Sequence, residues 1–328
     1  MRRATALRRI LVLGFVILSN MNYASTVFAG TNVWTSNGPE GGRIHALAVD
    51  PTTPDTIYAG TYAGGVFRST DAGANWSAID IGLGSLDDQA FFTLAIDPVT
   101  PTTLYIGSSD GGVFKSTDSG ESWSAVNTGL TLLRIYCLAI HPGTPTTLYA
   151  ATWGHGVFRS TNSGESWTAV NTGLDSSALY VYSLAIDPVT PDILYAGTHG
   201  GAFRSTNSGG YWSPVNAGLT NPHAKTLAID PMTTTTLYAG TNGGVFKSTN
   251  SGGNWSPINT GLTNFQVNTL AINPSSPTTL YAGTVGGVFQ SRNSGEDWSM
   301  VSSGLTSTEV RALVIDLTFC HKCVREMV

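Results

Sequence analysis

Few carboxylates in this 328-residue sequence stand where they could hydrolyse a glycosidic bond. That reaction uses two carboxyl groups about 5–10 Å apart, one as the acid and the other as the base or nucleophile. Outside the repeated turns described below, the available carboxylates are Asp87, Asp88, Asp110 and Asp175. Their spacing selects no pair, so catalysis is the less favoured hypothesis, with Asp87, Asp88 and Asp110 as its candidates.

A larger set of aromatic, histidine and cationic residues interrupts an otherwise regular pattern. His155 stands where the other units have glycine, and Trp153 matches Tyr62 of the first unit. Aromatic rings beside a few polar groups on a concave surface suit the binding of a sugar or a peptide. The alternative is that these are exposed loop residues without a role. The binding candidates are Tyr62, Arg134, Trp153, His155, Tyr180, Tyr182, His199, His223 and Lys225.

The histidines and cysteines predict neither a metal site nor a cofactor. The six histidines are scattered singly, and His141 replaces the aspartate of a recurring Asp-Pro turn. Cys137 lies in an apolar strand and is interpreted as a core residue. The CHKC motif at 320–323 could form a local disulfide or bind a metal, and a single CxxC does not decide between them.

These residues must be positioned by a repeat. A ten-residue stretch, FRSTDAGANW at 67–76, returns in similar form five more times, and the closing tryptophans lie 43–47 residues apart. A near-constant period of this length is typical of stacked repeats. Each unit is predicted to contain four strands, which in the second unit are FFTLAIDP (91–98), TTLYIGS (102–108), GVFKS (112–116) and SWSAVN (122–127). No segment has a helical period, so the predicted fold is all-β.

The ten-residue stretch is predicted to be a structural turn. The carboxylate of Asp71 is expected to accept hydrogen bonds from backbone N–H groups about two residues further on, Gly73 to adopt a positive φ, and Trp76 to fill the space beside the turn. Four copies carry asparagine instead of aspartate, which keeps the acceptor oxygen but loses the charge, and this favours a turn over a calcium site. The residues assigned to these turns are Ser69, Asp71, Gly73, Trp76, Asp118, Trp123, Asn162, Trp167, Asn207, Trp212, Asn250, Trp255, Asn293 and Trp298.

Six copies of S-x-[DN]-x-G-x-x-W at this spacing resemble the Asp-box, or BNR, repeats of sialidases, xyloglucan-degrading glycosidases, the sortilin luminal domain and photosystem II assembly factors, which are all β-propellers. The resemblance covers nearly all of residues 31–316. It implies the fold more than an activity, because these relatives do unrelated things. It also implies that the Asp-box hairpins lie on one face, and that the turns between second and third strands lie on the opposite, binding face.

Several functions are compatible with this resemblance. A sialidase would need an arginine triad, for which Arg43, Arg134 and Arg311 are conceivable, but no FRIP-like motif is present and glutamates are few. Photosystem assembly factors imply a protein-binding scaffold with an arginine-rich patch, and the sequence shows no such cluster. The favoured hypothesis is a non-enzymatic scaffold that binds a glycan or a protein. The alternatives are a sialidase-like or other glycoside hydrolase, an assembly-factor-like propeller, and a degenerate copy without a preserved role.

The number of blades follows from counting three signatures. The first-strand signature occurs seven times, from ALAVDP (46–51) to ALVID (312–316), and a tryptophan ending occurs seven times if Val33-Trp34 is included. This predicts a seven-blade plan in which an N-terminal strand completes the last blade. The pattern fails after Asp316, so the last blade is incomplete. A six-bladed ring with two spare strands is the alternative.

The N-terminal segment predicts export. Residues 1–29 resemble a secretory signal peptide, with four arginines, an apolar run and a small-residue cleavage pattern. Its removal takes the net charge from −5 to −9, which does not favour binding of nucleic acid. We expect a monomeric propeller at 30–317 with an off-pattern tail at 318–328, no membrane segment after cleavage, and a periplasmic, extracellular or cell-surface location.

Overall fold

The computed structural model describes residues 38–39, 43–305 and 307–315. The predicted signal peptide, the predicted strand at Val33-Trp34 and the CHKC motif lie outside the described residues. Within those residues the chain contains 24 strands and no helix, and therefore no helix able to cross a membrane. The prediction of an all-β fold is confirmed.

The strands form six four-stranded antiparallel sheets among the described residues, each made of four strands consecutive in sequence. The first three sheets, or blades, consist of β1 (Arg43–Val49), β2 (Ile57–Tyr62), β3 (Val66–Ser69) and β4 (Ser77–Ala78); β5 (Phe91–Ile96), β6 (Leu104–Ser108), β7 (Val113–Ser116) and β8 (Ser124–Ala125); and β9 (Ile135–Ile140), β10 (Leu148–Thr152), β11 (Val157–Ser160) and β12 (Thr168–Ala169). The next three blades consist of β13 (Val181–Ile186), β14 (Leu194–Thr198), β15 (Gly201–Ser205) and β16 (Trp212–Pro214); β17 (Thr226–Ile229), β18 (Leu237–Thr241), β19 (Gly244–Ser248) and β20 (Ser256–Pro257); and β21 (Val267–Ile272), β22 (Leu280–Thr284), β23 (Gly287–Ser291) and β24 (Ser299–Met300).

The hydrophobic core lies between neighbouring blades. Tyr58 and Val66 of the first blade pack with Phe91, Leu94 and Trp123 of the second, and equivalent clusters join each later pair. The second strand of each blade is almost entirely buried, as expected for a continuous apolar run with a sheet on either side. Sheets stacked in this way, each from one repeat, make the fold a β-propeller.

The seven-blade plan is wrong for the described residues, which form six blades. The seventh first-strand signature does not form a strand: residues 311–315 have no regular secondary structure, although the Val310 N–H donates to Thr284 O at 2.9 Å. Val310 and Leu313 pack on the sixth blade, and Val314 packs on the first. The segment therefore lies between the first and sixth blades without strands of its own, because the sequence after it lacks the pattern that would pair with it.

Each Asp-box turn is held by its serine and its aspartate or asparagine together. In the first copy the Ser69 hydroxyl donates to Asp71 and accepts from the Gly73 N–H at 2.8 Å. Asp71 Oδ1 accepts from the Asn75 N–H, four residues further on, and not from the N–H two residues on. The asparagine copies repeat this bond, as Asn162 Oδ1 does with the Ser166 N–H at 3.0 Å. Gly73 has a φ of 84°, and Ala72 before it a φ of 55°.

Five of the six box tryptophans connect adjacent blades. Their indole N–H groups donate to a backbone carbonyl of the preceding blade at 2.7–2.8 Å, as Trp212 does to Val170 O. Trp76 of the first blade is half-buried and its indole donates to Gly73 O of its own box at 3.1 Å. The tryptophan therefore joins blades and does not merely fill space beside its turn.

In five of the six units a cation stands three residues before the box aspartate or asparagine, and the structure gives these cations partners within the fold. Arg68 donates to Ser119 O and Arg159 to Ser208 O, both at 3.1 Å and both in the box of the following blade. Lys115 lies over the Tyr105 ring of its own blade. These cations belong to the architecture, so they are not candidates for a ligand site.

Candidate functional site

One end of the propeller carries the residues that differ between repeats. In the first blade, Arg43 at the start of β1 pairs with Tyr62 at the end of β2, whereas the Asp-box turn follows Ser69 at the opposite end of the sheet. Two backbone bridges join neighbouring blades at the Tyr62 end, between Tyr62 and Ala90 and between Trp153 and Tyr180. We call this end the mouth.

A β-bulge at the mouth turns one residue out of the first strand of most blades. In β1, Ile44 pairs with Thr61 and Ala46 with Gly60, so His45 has no partner across the ladder. A bulge re-aims a side chain in this way. The same shift occurs at equivalent positions in four further blades, and the sequence places Lys225 and Arg311 at the same position of the repeat. We call the resulting set the mouth ring: His45, Phe92, Tyr136, Tyr182, Lys225, Asn268 and Arg311.

Aromatic side chains form one continuous half of the mouth. Phe92 and Tyr136 stack with ring centroids 4.7 Å apart, and Tyr136 stacks on Trp153 at 5.0 Å. Trp153 in turn meets Tyr180 and Tyr182 edge to face at 5.2 and 5.4 Å. These spacings lie in the range of attractive aromatic pairs. His45 extends the series beyond Phe92 at 5.4 Å, and we call the whole series the aromatic arc.

Two histidines end the aromatic arc. The His199 and His223 rings are 4.0 Å apart, and the Tyr182 hydroxyl lies 3.2 Å from His199 Nδ1. Burial, the neighbouring His199 and Lys225 together lower the pKa of His223 below its usual value. Its imidazole is therefore neutral at pH 7, which leaves a ring nitrogen able to accept a hydrogen bond.

The remainder of the mouth ring is polar and cationic. Lys225 Nζ lies 3.2 Å from Asn268 Oδ1, and the Asn268 amide N–H donates to Val310 O at 3.1 Å. Arg311 forms an ion pair with Glu309 at 2.6 Å. Burial, and after it the charge of Arg311, lowers the pKa of Lys225. We call Lys225, Asn268 and Arg311 the polar arc.

His45, at the Phe92 end of the aromatic arc, is kept neutral. Burial, and after it the positive charges of Arg311 and Arg43, lowers its pKa to about 4. Arg43 and Arg311 thus both act electrostatically on His45, and Arg311 acts on Lys225 as well.

The structure joins most of the predicted binding residues and separates others. Trp153, Tyr180, Tyr182, His199 and His223 belong to one series of contacting rings, and Lys225 stands in the polar arc. Three others lie at the edge: Tyr62 is tilted against His45 at 6.4 Å, His155 Nδ1 bonds Thr131, and Arg134 is exposed beside Asp110.

The contacts of the three candidate catalytic carboxylates are with hydroxyl groups, a cation and solvent. Asp110 interacts with Arg134 at 3.9 Å and with the Ser109 hydroxyl at 2.9 Å. Asp87 is exposed and its carboxylate accepts from the Ser85 hydroxyl, while Asp88 is exposed in a turn with a φ of 57°. None of the three has a second carboxylate as a hydrogen-bond or ion-pair partner among the described residues, so these contacts give no acid and base assignment.

Five members of the mouth ring were absent from the list of predicted binding residues: His45, Phe92, Tyr136, Asn268 and Arg311. A signal for them exists, because the seven first-strand signatures align without gaps and this one column varies between histidine, aromatic, lysine, asparagine and arginine. The residues on either side of that column remain small or apolar. A variable column inside a regular repeat indicates a surface that the fold does not constrain.

No group of three or more histidine, cysteine, aspartate or glutamate side chains able to hold a metal occurs among the described residues. Cys137 is buried, and burial raises its pKa to about 11, so its thiol is protonated at neutral pH. A protonated buried thiol is inert as a nucleophile.

Comparison with known proteins supports the class of fold. No family model and no curated protein matches the chain. An ancestral GH74 enzyme is 24% identical with a TM-score of 0.68, over 83% of this chain and 40% of that chain. YCF48 bound to a D1 peptide is 18% identical with a TM-score of 0.62, over 83% of this chain and 85% of that chain. The extracellular domain of BT3049 from B. thetaiotaomicron is 12% identical with a TM-score of 0.64, over 83% of this chain and 36% of that chain.

These likenesses define the chain as a β-propeller. The chain spans less than half the length of the GH74 and BT3049 proteins that it resembles. The same fold thus occurs in an enzyme, in a protein bound to a peptide and in an extracellular domain, so the function must be argued from the mouth itself.

Proposed function

We propose that this protein is an exported, non-enzymatic scaffold that binds a glycan at the mouth of the propeller. The observation that carries the proposal is the aromatic arc. Five aromatic side chains from three blades and their connections meet there, and Tyr180 is 38% exposed although Trp, Tyr and Phe side chains elsewhere in the repeats are mostly buried. Aromatic surface that the core does not need marks a binding site.

A sugar suits this surface better than a flat apolar partner does. One face of a pyranose ring presents C–H groups that pack on an aromatic ring, while its hydroxyls need hydrogen-bond partners at the edge. The Tyr182 hydroxyl, the two histidines and Lys225 lie beside the rings and supply such partners. A few polar groups around an apolar surface are what orient a small ligand.

The contacts of the candidate carboxylates favour binding over hydrolysis. The two carboxyl groups of a glycoside hydrolase must converge on one bond, whereas Asp87, Asp88 and Asp110 each interact with a hydroxyl, a cation or solvent. Asp110 lies 3.9 Å from the guanidinium of Arg134, and both side chains are exposed.

The test is a glycan array with a fluorogenic glycosidase panel on one preparation of residues 30–328. We expect sugar binding without turnover, and loss of that binding in Trp153→Ala. The matched control is Tyr211→Ala, because Tyr211 is 54% exposed but belongs to an Asp box at the opposite end. Turnover that disappears in Asp110→Asn would establish a hydrolase instead. If no glycan on the array binds, and the protein instead captures a protein partner that Trp153→Ala no longer captures, the ligand of the mouth is a protein.

A further inference from the structure

The two arcs of the mouth differ in the ligand chemistry that they can serve. The aromatic arc has no ionised group, since His45 is neutral and Phe92 and Tyr136 stack between it and Trp153. In the polar arc, the Asn268 side chain connects Lys225 Nζ, at 3.2 Å, to the carbonyl of Val310, at 3.1 Å, and Arg311 is the next residue in the chain. A neutral sugar would make use of the first arc and leave the second without a charged partner.

Among the described residues, few carboxylates accompany the cations of the mouth. Arg43, Lys225 and Arg311 act electrostatically on this region, and Glu309, paired with Arg311, is the one carboxylate that acts on both His45 and Lys225 among the described residues. The whole chain nevertheless has 21 acidic and 16 basic residues. Like charges held together in a chain with an excess of acid are costly unless an opposite charge joins them.

We infer, building on the glycan-binding function proposed above, that the ligand is an acidic saccharide, with its sugar rings on the aromatic arc and its carboxylate or sulfate at Lys225 and Arg311. The planar guanidinium of Arg311 already accommodates a carboxylate, that of Glu309 at 2.6 Å. Arginine binds carboxylates through two parallel N–H bonds, and lysine acts as a point charge with three donors.

Asn268 is a positioning residue in this arrangement. Its amide oxygen faces Lys225 Nζ at 3.2 Å, and its amide N–H is fixed by Val310 O at 3.1 Å. Both ends of the amide are therefore occupied by the protein, and the side chain holds the ammonium group at the edge of the aromatic arc.

Calorimetric titrations test the inference with three probes: galacturonic acid oligomers, the same oligomers as methyl esters, and a sulfated galactose oligomer. We expect the acid to bind about tenfold more tightly than the ester at low salt, which corresponds to about one charge-assisted hydrogen bond. The preference should shrink as salt rises, because screening weakens attraction between exposed charges. Tighter binding of the sulfated oligomer would identify sulfate as the anionic group; tighter binding of the galacturonate would identify carboxylate.

Variants separate this inference from the proposed function. Lys225→Gln and Arg311→Gln should each bring acid and ester to similar affinity. Arg311→Lys should retain part of the preference and thereby exclude a loss caused by misfolding. Arg292→Gln is the matched control for charge, because Arg292 is exposed in an Asp box at the opposite end.

The outcomes are distinguishable. Equal binding of acid and ester, lost in Trp153→Ala, would overturn the acidic ligand and leave the glycan scaffold intact. A preference for the acid that survives both glutamine variants would also overturn it. Failure of every saccharide to bind would overturn both proposals.

Discussion

Replacing Trp212 by alanine tests whether the box tryptophans hold the blades together. Trp212 is fully buried between the third and fourth blades, and its indole N–H donates to Val170 O at 2.8 Å. Loss of a buried tryptophan costs about 3–5 kcal/mol through lost burial and the remaining cavity. Removing the donor of the Val170 carbonyl adds about 1 kcal/mol. We therefore expect the unfolding free energy to fall by about 4–6 kcal/mol.

Urea unfolding followed by circular dichroism measures this loss. With a denaturant dependence of about 3 kcal/mol/M for a chain of this size, the midpoint should fall by roughly 1.3–2 M. Trp212→Phe keeps most of the volume but removes the donor, and should cost about 1–3 kcal/mol.

Trp76→Ala is the internal comparison. Trp76 is only half-buried and its indole bonds to its own box, so its replacement should cost about 2 kcal/mol. Equal midpoints for the two alanine variants would refute the role of these tryptophans as connections between blades. A shift below about 0.5 M for Trp212→Ala would refute it as well.

Three further predictions concern single residues. Hydrogen bonds from Ser122 and Ser116 lower the pKa of Asp118 to about 2. The contribution of its carboxylate to stability is therefore complete above about pH 4 and is lost as the pH falls toward 2. In Asp118→Asn the melting temperature should depend less on pH over that range. Gly129→Ala should destabilise the protein more than Gly84→Ala. Both glycines have a positive φ, but only at Gly129 would an added Cβ collide with a backbone carbonyl, that of Trp167. Equal losses in the urea midpoint of the two variants would show that the collision is unimportant. In a variant with the two C-terminal cysteines changed to serine, Cys137 should not react with a thiol reagent at pH 8 until urea unfolds the chain. Rapid reaction of the folded protein would contradict the burial of Cys137.

The fold could be predicted because its signals are local. Strands such as Leu194–Thr198 are continuous apolar runs bounded by turn residues, and each is buried on both faces in the structure. The turn after each first strand is local as well: Asp50 Oδ1 accepts from the N–H groups of Thr52 and Thr53. His141 Nδ1 accepts from the equivalent N–H groups of its own turn, which explains how histidine replaces aspartate there. Such patterns need no knowledge of distant contacts.

Contacts between blades were the part that sequence reasoning missed. Arg68 looks like an exposed strand residue in the sequence, and only the position of the next blade shows that it binds Ser119 O. Phe92 and Tyr136 fall within apolar runs, so nothing local distinguishes them from core residues. Their exposure at the mouth depends on a bulge, which is defined by the register between two strands and not by either strand alone.

The prediction of seven blades was wrong for a related reason. A first-strand signature such as ALVID predicts a strand only if a second strand is available to pair with it. No second-strand signature follows residues 311–315 in the sequence. The segment therefore packs between two blades, with Leu313 on the sixth and Val314 on the first.

A structure of the protein with a bound oligosaccharide, chosen from the array, tests the central claim most directly. The account predicts a sugar ring against Trp153 or Tyr136, with an acidic group of the sugar within hydrogen-bond distance of Lys225 or Arg311. A sugar bound instead at the Asp-box end, beside Tyr211, or a mouth left empty at saturating ligand, would contradict it.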